Sequence, residues 1–307
     1  MANKSLFKDL EGIKSYMPTS EEDNYITVNG TVSSYAIKTG YTAPTKEITI
    51  EQWLKPDVSS KTMSSFSYAH SSSDNSVLLY NVNKNITPHV NNSTATTGLS
   101  LPSGVFSHLA LTWRSSDGLL QVFINGIKRY ETKNISKGFI IPSGGAVVLG
   151  QEQDSVGGSF QASQAFLGGI SETRVWNKVL TEEEIKQMMP VSLTGLEGGL
   201  VSCWSFSEGI GSKVSDKTLK AQDLTLIGAS WKTEGVPLKG HFRWGTIDAS
   251  PISKDMFDDY GIHSMGVFNR KPIAQKITVK KGEDKNFLST LNFSEINNVL
   301  AIKIEVK

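Results

Sequence analysis

The sequence is poor in cysteine and in long apolar runs, and each absence excludes a class of structure. Cys203 is the only cysteine among 307 residues, so no disulfide can form within the chain. No apolar run approaches the about 20 residues that a membrane-spanning helix needs. The first ten residues carry charges throughout and lack the apolar core of a secretory signal. Stability must therefore come from a packed core, for which 38% hydrophobic residues are sufficient.

An excess of charge is also absent. The 31 Lys and Arg residues balance 30 Asp and Glu residues, which leaves a formal net charge of +1. Proteins that bind nucleic acid or anionic membranes through their overall field carry a marked basic excess, so the balance disfavours both partners. The length of 307 residues suits two domains.

What the sequence does contain is a series of short β-type runs separated by turn residues. Residues 25–28 alternate and end at Asn29-Gly30, and residues 119–124 end at Asn125-Gly126; Asn-Gly pairs favour hairpins. Residues 71–75 are predicted to form a polar turn, and residues 81–100 weak edge strands and loop. Further strands are predicted at residues 47–54, 65–68, 76–80, 106–113, 128–132, 147–149 and 169–176.

One segment has the pattern of a helix. Thr181 can cap its first turn, Glu184 can complete a capping box, and Pro190 ends it after Met189. Many evenly spaced strands and a single short helix predict an all-β protein built as a two-sheet antiparallel sandwich.

The changes in composition along the chain predict three regions. Residues 1–23 form a polar leader, and residues 24–236 form the sandwich, to which residues 191–236 contribute added strands. Residues 237–307 form a small β-rich C-terminal appendage of unknown role, with β-runs at 273–279 and 299–306.

A loop rich in oxygen ligands follows the strand at residues 147–149. Glu152 and Asp154 lie two residues apart, so an extended chain points both carboxylates to one side. Gly157-Gly158 allows the chain to fold back, because glycine accepts positive φ. The candidate side-chain ligands are Glu152, Asp154, Gln161 and Gln164. Oxygen ligands without His or Cys suit calcium. The alternative is an ordinary solvated loop.

Four separated motifs carry a family resemblance. They are Ser67-Tyr-Ala69 with Asp74-Asn-Ser-Val-Leu-Leu-Tyr80, His108-Leu-Ala-Leu-Thr-Trp-Arg-Ser115, Leu149-Gly-Gln-Glu-Gln-Asp-Ser-Val-Gly-Gly158, and Gly169-Ile-Ser-Glu-Thr-Arg-Val-Trp176 followed by residues 180–185. In this order they resemble the pentraxin family over residues 24–190. The resemblance implies a concanavalin-like or laminin-G-like jelly roll. Residues 196–231 resemble a segment of microbial laminin-G-like proteins.

The resemblance also implies a two-calcium site. The first ion would be held by Asp74, Asn75, Glu152, Asp154 and the main-chain carbonyl of Gln153. The second ion would share Glu152 and Asp154 and add Gln161 and Gln164. The family often has Glu where Gln161 stands, so we expect a weaker second site. Tyr80 stands where an aromatic side chain flanks the ligand, although it could equally be a core residue at the end of a strand.

The function implied by the resemblance is calcium-dependent, lectin-like binding without enzymatic activity. The ligands would be phosphocholine, phosphoethanolamine or carbohydrates carrying acidic groups on cell surfaces, and a cyclic homo-oligomer would give multivalency. Exposed calcium sites bind at roughly 10⁻⁴–10⁻³ M, which favours an extracellular place of action. Since no secretory signal is visible, a cytoplasmic location stays open.

The sequence departs from the family at its disulfide, where Ala110 and Glu51 stand instead of cysteines. The fold must then rest on its core alone. His108 is expected to be structural rather than a metal ligand, because no second histidine lies nearby in the sequence. Cys203 beside Trp204 is expected to be a core residue.

Two other functions remain as alternatives. The same jelly roll occurs in glycoside hydrolases, but these need a second carboxylate after the Glu-x-Asp pair, and residues 155–157 are Ser, Val and Gly. The other alternative is an adhesion or structural role in which residues 237–307 bind the partner.

Overall fold

The computed structural model describes residues 16–17, 24–58, 60–233 and 245–246, which contain eighteen strands and one helix. The elements are β1 (Tyr16–Met17), β2 (Asn24–Asn29), β3 (Tyr35–Tyr41), β4 (Glu47–Pro56), β5 (Phe66–His70), β6 (Ser73–Tyr80), β7 (Thr87–Val90), β8 (Ser93–Thr94), β9 (Ser107–Arg114), β10 (Leu119–Ile124), β11 (Ile127–Thr132), β12 (Gly145–Leu149), β13 (Leu167–Trp176), α1 (Glu182–Met188), β14 (Leu200–Trp204), β15 (Lys213–Val214), β16 (Leu224–Ile227), β17 (Ser230–Thr233) and β18 (Gly245–Thr246).

The chain divides into two compact units, residues 22–238 and residues 1–21 with 239–307. In the smaller unit, the described residues form one antiparallel pair, in which Tyr16 of β1 lies opposite Thr246 of β18. The predicted leader thus contains a short strand. The β-runs predicted at residues 273–279 and 299–306 lie outside the described residues.

The larger unit consists of two antiparallel sheets of eight strands each. Sheet I has the order β11-β10-β9-β4-β13-β2-β17, with β14 also paired to β13. Sheet II has the order β15-β16-β3-β12-β5-β6-β7-β8. On one edge, β13 pairs with β2 along its first half and with β14 along its second half. This architecture confirms the predicted all-β jelly-roll sandwich, in which β14 to β17 are the strands of residues 191–236.

The core between the sheets is built by alternation along the strands. Ile50 and Leu54 of β4 and Val147 and Leu149 of β12 are fully buried there, as the period of two requires. Cys203 is also buried, and burial raises the pKa of its thiol, so this thiol is unsuited to nucleophilic chemistry.

Helix α1 covers the outer face of sheet I. Thr181 Oγ1 accepts a hydrogen bond from the Glu184 amide at 3.2 Å, and the Glu184 carboxylate accepts one from the Thr181 amide at 2.8 Å, which confirms the capping box. Trp53, which points away from the core, donates from Nε1 to the main-chain oxygen of Met189 at 3.0 Å. In the described ranges, no helix has both the length and the apolar character to cross a membrane.

A buried polar cluster occupies the place where the family's disulfide was expected. Glu51 of β4 lies directly opposite Ala110 of β9. The Glu51 carboxylate accepts a hydrogen bond from Trp176 Nε1 at 2.6 Å and lies 3.3 Å from His108 Nε2. Burial by itself raises the pKa of Glu51, but His108, Arg174 and the Trp176 N–H together outweigh it and hold that pKa below its usual range. His108 therefore contacts a buried carboxylate within sheet I.

One local prediction was wrong, and one strand was missed. The turn between β5 and β6 is shorter than residues 71–75, because His70 already pairs with Ser73, so Asp74 and Asn75 lie within strand β6. Strand β3 was not predicted at all, although it lies between β12 and β16 in the middle of sheet II.

Candidate functional site

The oxygen-rich loop lies on the outer face of sheet II, opposite the face that carries α1. Gly157 adopts a φ of +74°, and a Cβ atom there would lie 3.3 Å from the Ile37 side chain and 3.9 Å from that of Ala146. Ser155 and Gly158 exchange backbone hydrogen bonds. The loop therefore folds back over strands β3 and β12, as the Gly-Gly pair predicted.

The side chain of Gln153 ties this loop to the sheet. Its Nε2 donates to the main-chain oxygens of Ser67 and Ala146, each at 3.1 Å, and its Oε1 accepts from the Gly157 amide at 2.7 Å. Because the amide group is buried and fully used, the main-chain carbonyl is the part of Gln153 that can face a metal ion. The neighbouring Gln151 has a similar role, donating to the carbonyls of Thr31 and Ser34.

Replacing Gln153 with leucine is expected to weaken calcium binding although no ligand atom is removed. The loss leaves two buried carbonyls and one amide without partners, at about 1–2 kcal/mol, which corresponds to about 5- to 30-fold in calcium affinity. Calcium titration calorimetry would measure the change. Gln187→Leu on the surface of α1 is the control. An unchanged calcium affinity of the Gln153 variant would show that the side chain of Gln153 does not support calcium binding.

Glu152 is the most unusual group of the site. Its side chain is buried, and Oε2 has no hydrogen-bond partner among the described residues. Burial, followed by the negative charges of Asp154 and Asp74, raises its pKa to about 7. A buried acceptor without a partner is costly, and a cation would satisfy it.

Of the other predicted ligands, Asp154 and Asp74 are near enough for their charges to act on Glu152. Asp74 accepts a hydrogen bond from the Asn75 amide at 2.9 Å at the start of β6. Gln161 Nε2 donates to Asp154 Oδ2 at 2.7 Å. Gln164 is half-buried, and its Oε1 is a second buried oxygen without a partner in the described part of the chain.

Tyr80 is connected to the predicted ligands through Gln164, whose Nε2 donates to the Tyr80 hydroxyl at 3.3 Å. The Tyr80 ring packs edge-to-face against His89 with 5.5 Å between centroids. His89 Nε2 is buried without a partner, and burial lowers the pKa of this imidazole, which keeps it neutral. His89 was missed from the sequence, because its strand lies in the stretch predicted only as weak edge strands.

The donor set fits calcium better than a transition metal. It combines carboxylate, amide and main-chain oxygens, with two buried oxygens unpaired, and it includes no thiolate. Among the described residues, no three His, Cys, Asp or Glu side chains are grouped so that they alone could hold a metal ion. The amides and the Gln153 carbonyl would therefore have to complete the coordination.

Comparisons with known proteins agree with this fold. The pentaxin family model matches residues 27–206. Neuronal pentraxin-2 of Cavia porcellus is 37% identical over 146 residues, which cover 47% of this chain and 34% of that protein. Serum amyloid P-component of Rattus norvegicus is 38% identical over 129 residues, which cover 41% of this chain and 55% of that protein. The chain thus spans less than two thirds of the length of either relative.

Solved structures show the same architecture. The native heptameric SAP-like pentraxin from Limulus polyphemus has a TM-score of 0.56 at 24% identity, covering 72% of this chain and 99% of that one. A putative carbohydrate binding protein from Bacteroides ovatus has a TM-score of 0.56 at 18% identity, covering 73% of this chain and 62% of that one. These likenesses establish the fold. The family model spans more than half of the chain and includes the whole oxygen-rich loop, so the protein belongs to the pentaxin family, the pentraxins.

Proposed function

We propose that this protein is a calcium-dependent binding protein that recognises phosphorylated or carbohydrate ligands at the loop after β12. The observation that carries the proposal is Glu152, a buried carboxylate with an unpaired oxygen beside the charges of Asp154 and Asp74. Such crowding of negative charge is unfavourable in the metal-free chain and becomes favourable around a dication.

Two calcium ions would use these residues unequally. The first would lie between β6 and the loop, held by Asp74, Asn75, Glu152, Asp154 and the Gln153 carbonyl. The second would share Glu152 and Asp154 and add Gln161 and Gln164. Gln161 brings no charge, and its Nε2 already donates to Asp154 at 2.7 Å, so it must turn to offer its oxygen. We therefore expect the second ion to bind more weakly.

The bound calcium would supply open coordination positions for an oxygen of the ligand. Tyr80, which packs against His89 and accepts from Gln164, would offer an aromatic face and hydrogen-bonding groups beside these positions. These groups suit the head group of phosphocholine or phosphoethanolamine, or a sugar with an acidic substituent. Such ligands occur on cell surfaces, where weak calcium sites are filled at the millimolar calcium concentration outside cells.

A cyclic oligomer would strengthen weak binding, because several linked sites gain avidity. The Limulus relative is described as heptameric. An enzymatic function has less support, since residues 155–157 supply no second carboxylate after Asp154 for glycoside hydrolysis.

The experiment that tests the proposal is a calcium titration of the full chain by calorimetry, followed by binding to immobilised phosphoethanolamine in calcium or in chelator. We expect calcium uptake in the millimolar range or below and retention that chelator abolishes. A chain that takes up no calcium at millimolar concentration would overturn the proposal.

Tyr80→Ala and His89→Ala are expected to separate ligand recognition from calcium binding. Each removes a ring beside the site but no ligand of the first calcium ion, so the affinity for that ion should stay unchanged while retention on phosphoethanolamine falls about 5- to 10-fold, the value of one aromatic contact. His70→Ala, a half-buried histidine hydrogen-bonded to Ser72, is the control. If Tyr80→Ala loses both its calcium affinity and its retention on phosphoethanolamine, Tyr80 is a structural residue and not a ligand contact.

A further inference from the structure

Two loops of the larger unit are in direct backbone contact at one corner of the sandwich. Gly195 has a φ of +91°, and a Cβ atom there would lie 2.0 Å from the main-chain oxygen of Lys217. The carboxylate of Glu197 accepts hydrogen bonds from Thr194 and the Gly195 amide at 2.8–2.9 Å. The Glu197 hydrogen bonds close the turn at residues 194–197, and the approach of Gly195 to Lys217 places this turn against the loop at residues 217–220.

Each of the two loops exposes a leucine. Leu219 is 90% exposed and Leu196 is 57% exposed. Leu219 cannot fold inward, because the buried Asp216 binds the loop on both sides of it, accepting from Thr218 Oγ1 at 2.8 Å and from the Gln222 amide at 3.0 Å. A single exposed leucine is ordinary, but two leucines held outward on contacting loops form an apolar projection.

An open groove with a volume of about 360 Å³ lies beside this projection. It is lined by residues including Lys46, Lys220, Thr42, Thr45, Asn177 and Glu47. Lys46 and Lys220 form no ion pair within the described ranges, while the Glu47 carboxylate accepts from the Val179 amide at 3.4 Å. The groove is therefore lined by two lysines without ion pairs and by one carboxylate. Its other lining residues are polar (Thr42, Thr45, Asn177) and apolar (Ala43, Pro44, Val201).

We propose that this corner, defined by the groove and the exposed Leu196 and Leu219, is a second, calcium-independent site that binds the phosphate of an anionic phospholipid. Lysine ammonium groups bind phosphate oxygens as point charges. Leu219, which precedes Lys220 in the sequence, enters the boundary between head groups and acyl chains, an arrangement typical of proteins that bind at membrane interfaces.

The overall charge does not conflict with this site. A net charge of +1 gives no long-range attraction to anionic surfaces, so binding depends on the local lysines, each of which contributes only within a short distance of the membrane. The site shares no residue with the loop after β12. Its success or failure is therefore separable from that of the calcium site.

The test is sedimentation of the full chain with vesicles in the presence of chelator, which silences the calcium site. Vesicles of phosphatidylcholine with phosphatidylserine are expected to bind the chain, and phosphatidylcholine vesicles are not. The double substitution Lys46→Glu with Lys220→Glu should reduce the affinity by about 30-fold or more, since two surface lysines are lost. Lys133→Glu with Lys137→Glu makes the same change in net charge on an exposed loop and should bind as the wild type does.

The substitution Leu219→Ser distinguishes binding to a lipid surface from binding of free phosphate. We expect this variant to lose vesicle binding while inorganic phosphate still binds in the groove by calorimetry. Wild-type vesicle binding by Leu219→Ser, or an equal loss in both double charge variants, would overturn the proposal. Sedimentation that depends on calcium alone would also overturn it and assign lipid binding to the loop after β12.

Discussion

Replacing Arg174 with methionine is expected to lower the free energy of unfolding by about 3–5 kcal/mol, because a buried charge loses its partner. The Arg174 guanidinium is fully buried and donates to Glu172 Oε2 at 2.9 Å and 3.2 Å. It also donates to the main-chain oxygens of Met188 at 2.7 Å and Val191 at 2.5 Å. Methionine fills a similar space but leaves a buried carboxylate and two carbonyls without donors.

The measurement is urea unfolding of the full chain followed by tryptophan fluorescence. Arg114→Met is the matched control, since Arg114 also binds a carboxylate through two nitrogens, at 2.8 Å and 2.9 Å, but with side chains that are 38% and 32% exposed. Exposed pairs contribute about 0–1 kcal/mol, so the control should unfold near the wild type. Equal effects of the two substitutions would contradict the larger contribution expected of the buried Arg174 contacts.

The buried position of Arg174 illustrates what the sequence could not show. Alternation along residues 47–54 correctly predicted strand β4, in which Ile50 points into the core. The same alternation marks Glu51 as solvent-facing. Arg174 lies four residues after Ile170, so strict alternation would place it in the core. A register shift between Ser171 and Arg174 turns it to the outer face, where it lies with Glu51. They are buried because α1 and the segment after it cover this face of sheet I, a contact between residues distant in sequence.

Strand β3 was missed for a related reason. Its sequence, residues 35–41, contains Lys38 and Gly40 and shows no clear apolar alternation. Its strand geometry comes from pairing with β12 on one side and β16 on the other. Strand preference depends on such neighbours more than on the local residues, which a single segment does not reveal.

The candidate site was predictable in its chemistry and less so in its geometry. The loop itself displays Glu152 and Asp154 at a spacing of two, and the family resemblance brought Asp74 and Asn75 to it. Glutamines were ambiguous, because an amide can serve as a ligand or as an internal tether. Only the contact of Gln153 with Ser67, 86 residues earlier, identifies the tether.

Glu152→Gln is expected to reduce calcium affinity about 100-fold at both ions, because this carboxylate would be shared by the two and its charge cannot be replaced by an amide. Gln161→Leu should weaken only the second ion and leave the first unchanged. Calcium titration calorimetry gives both stoichiometry and affinity. Glu183→Gln on the exposed face of α1 is the control. A Glu152 variant that binds two ions with wild-type affinity would place the calcium elsewhere.

The same substitution is expected to stabilise the metal-free chain, which distinguishes loss of a ligand from misfolding. Burial and the charges of Asp154 and Asp74 raise the pKa of Glu152 from 4.5 to about 7. The folded chain then holds a proton that the unfolded chain releases, so this group makes stability fall as pH rises from 4.5 towards 7. In chelator, Glu152→Gln should therefore unfold at a higher urea concentration than the wild type at pH 8, with a smaller difference at pH 5. A variant that loses both calcium binding and stability at pH 8 would show that Glu152 supports the loop rather than the metal.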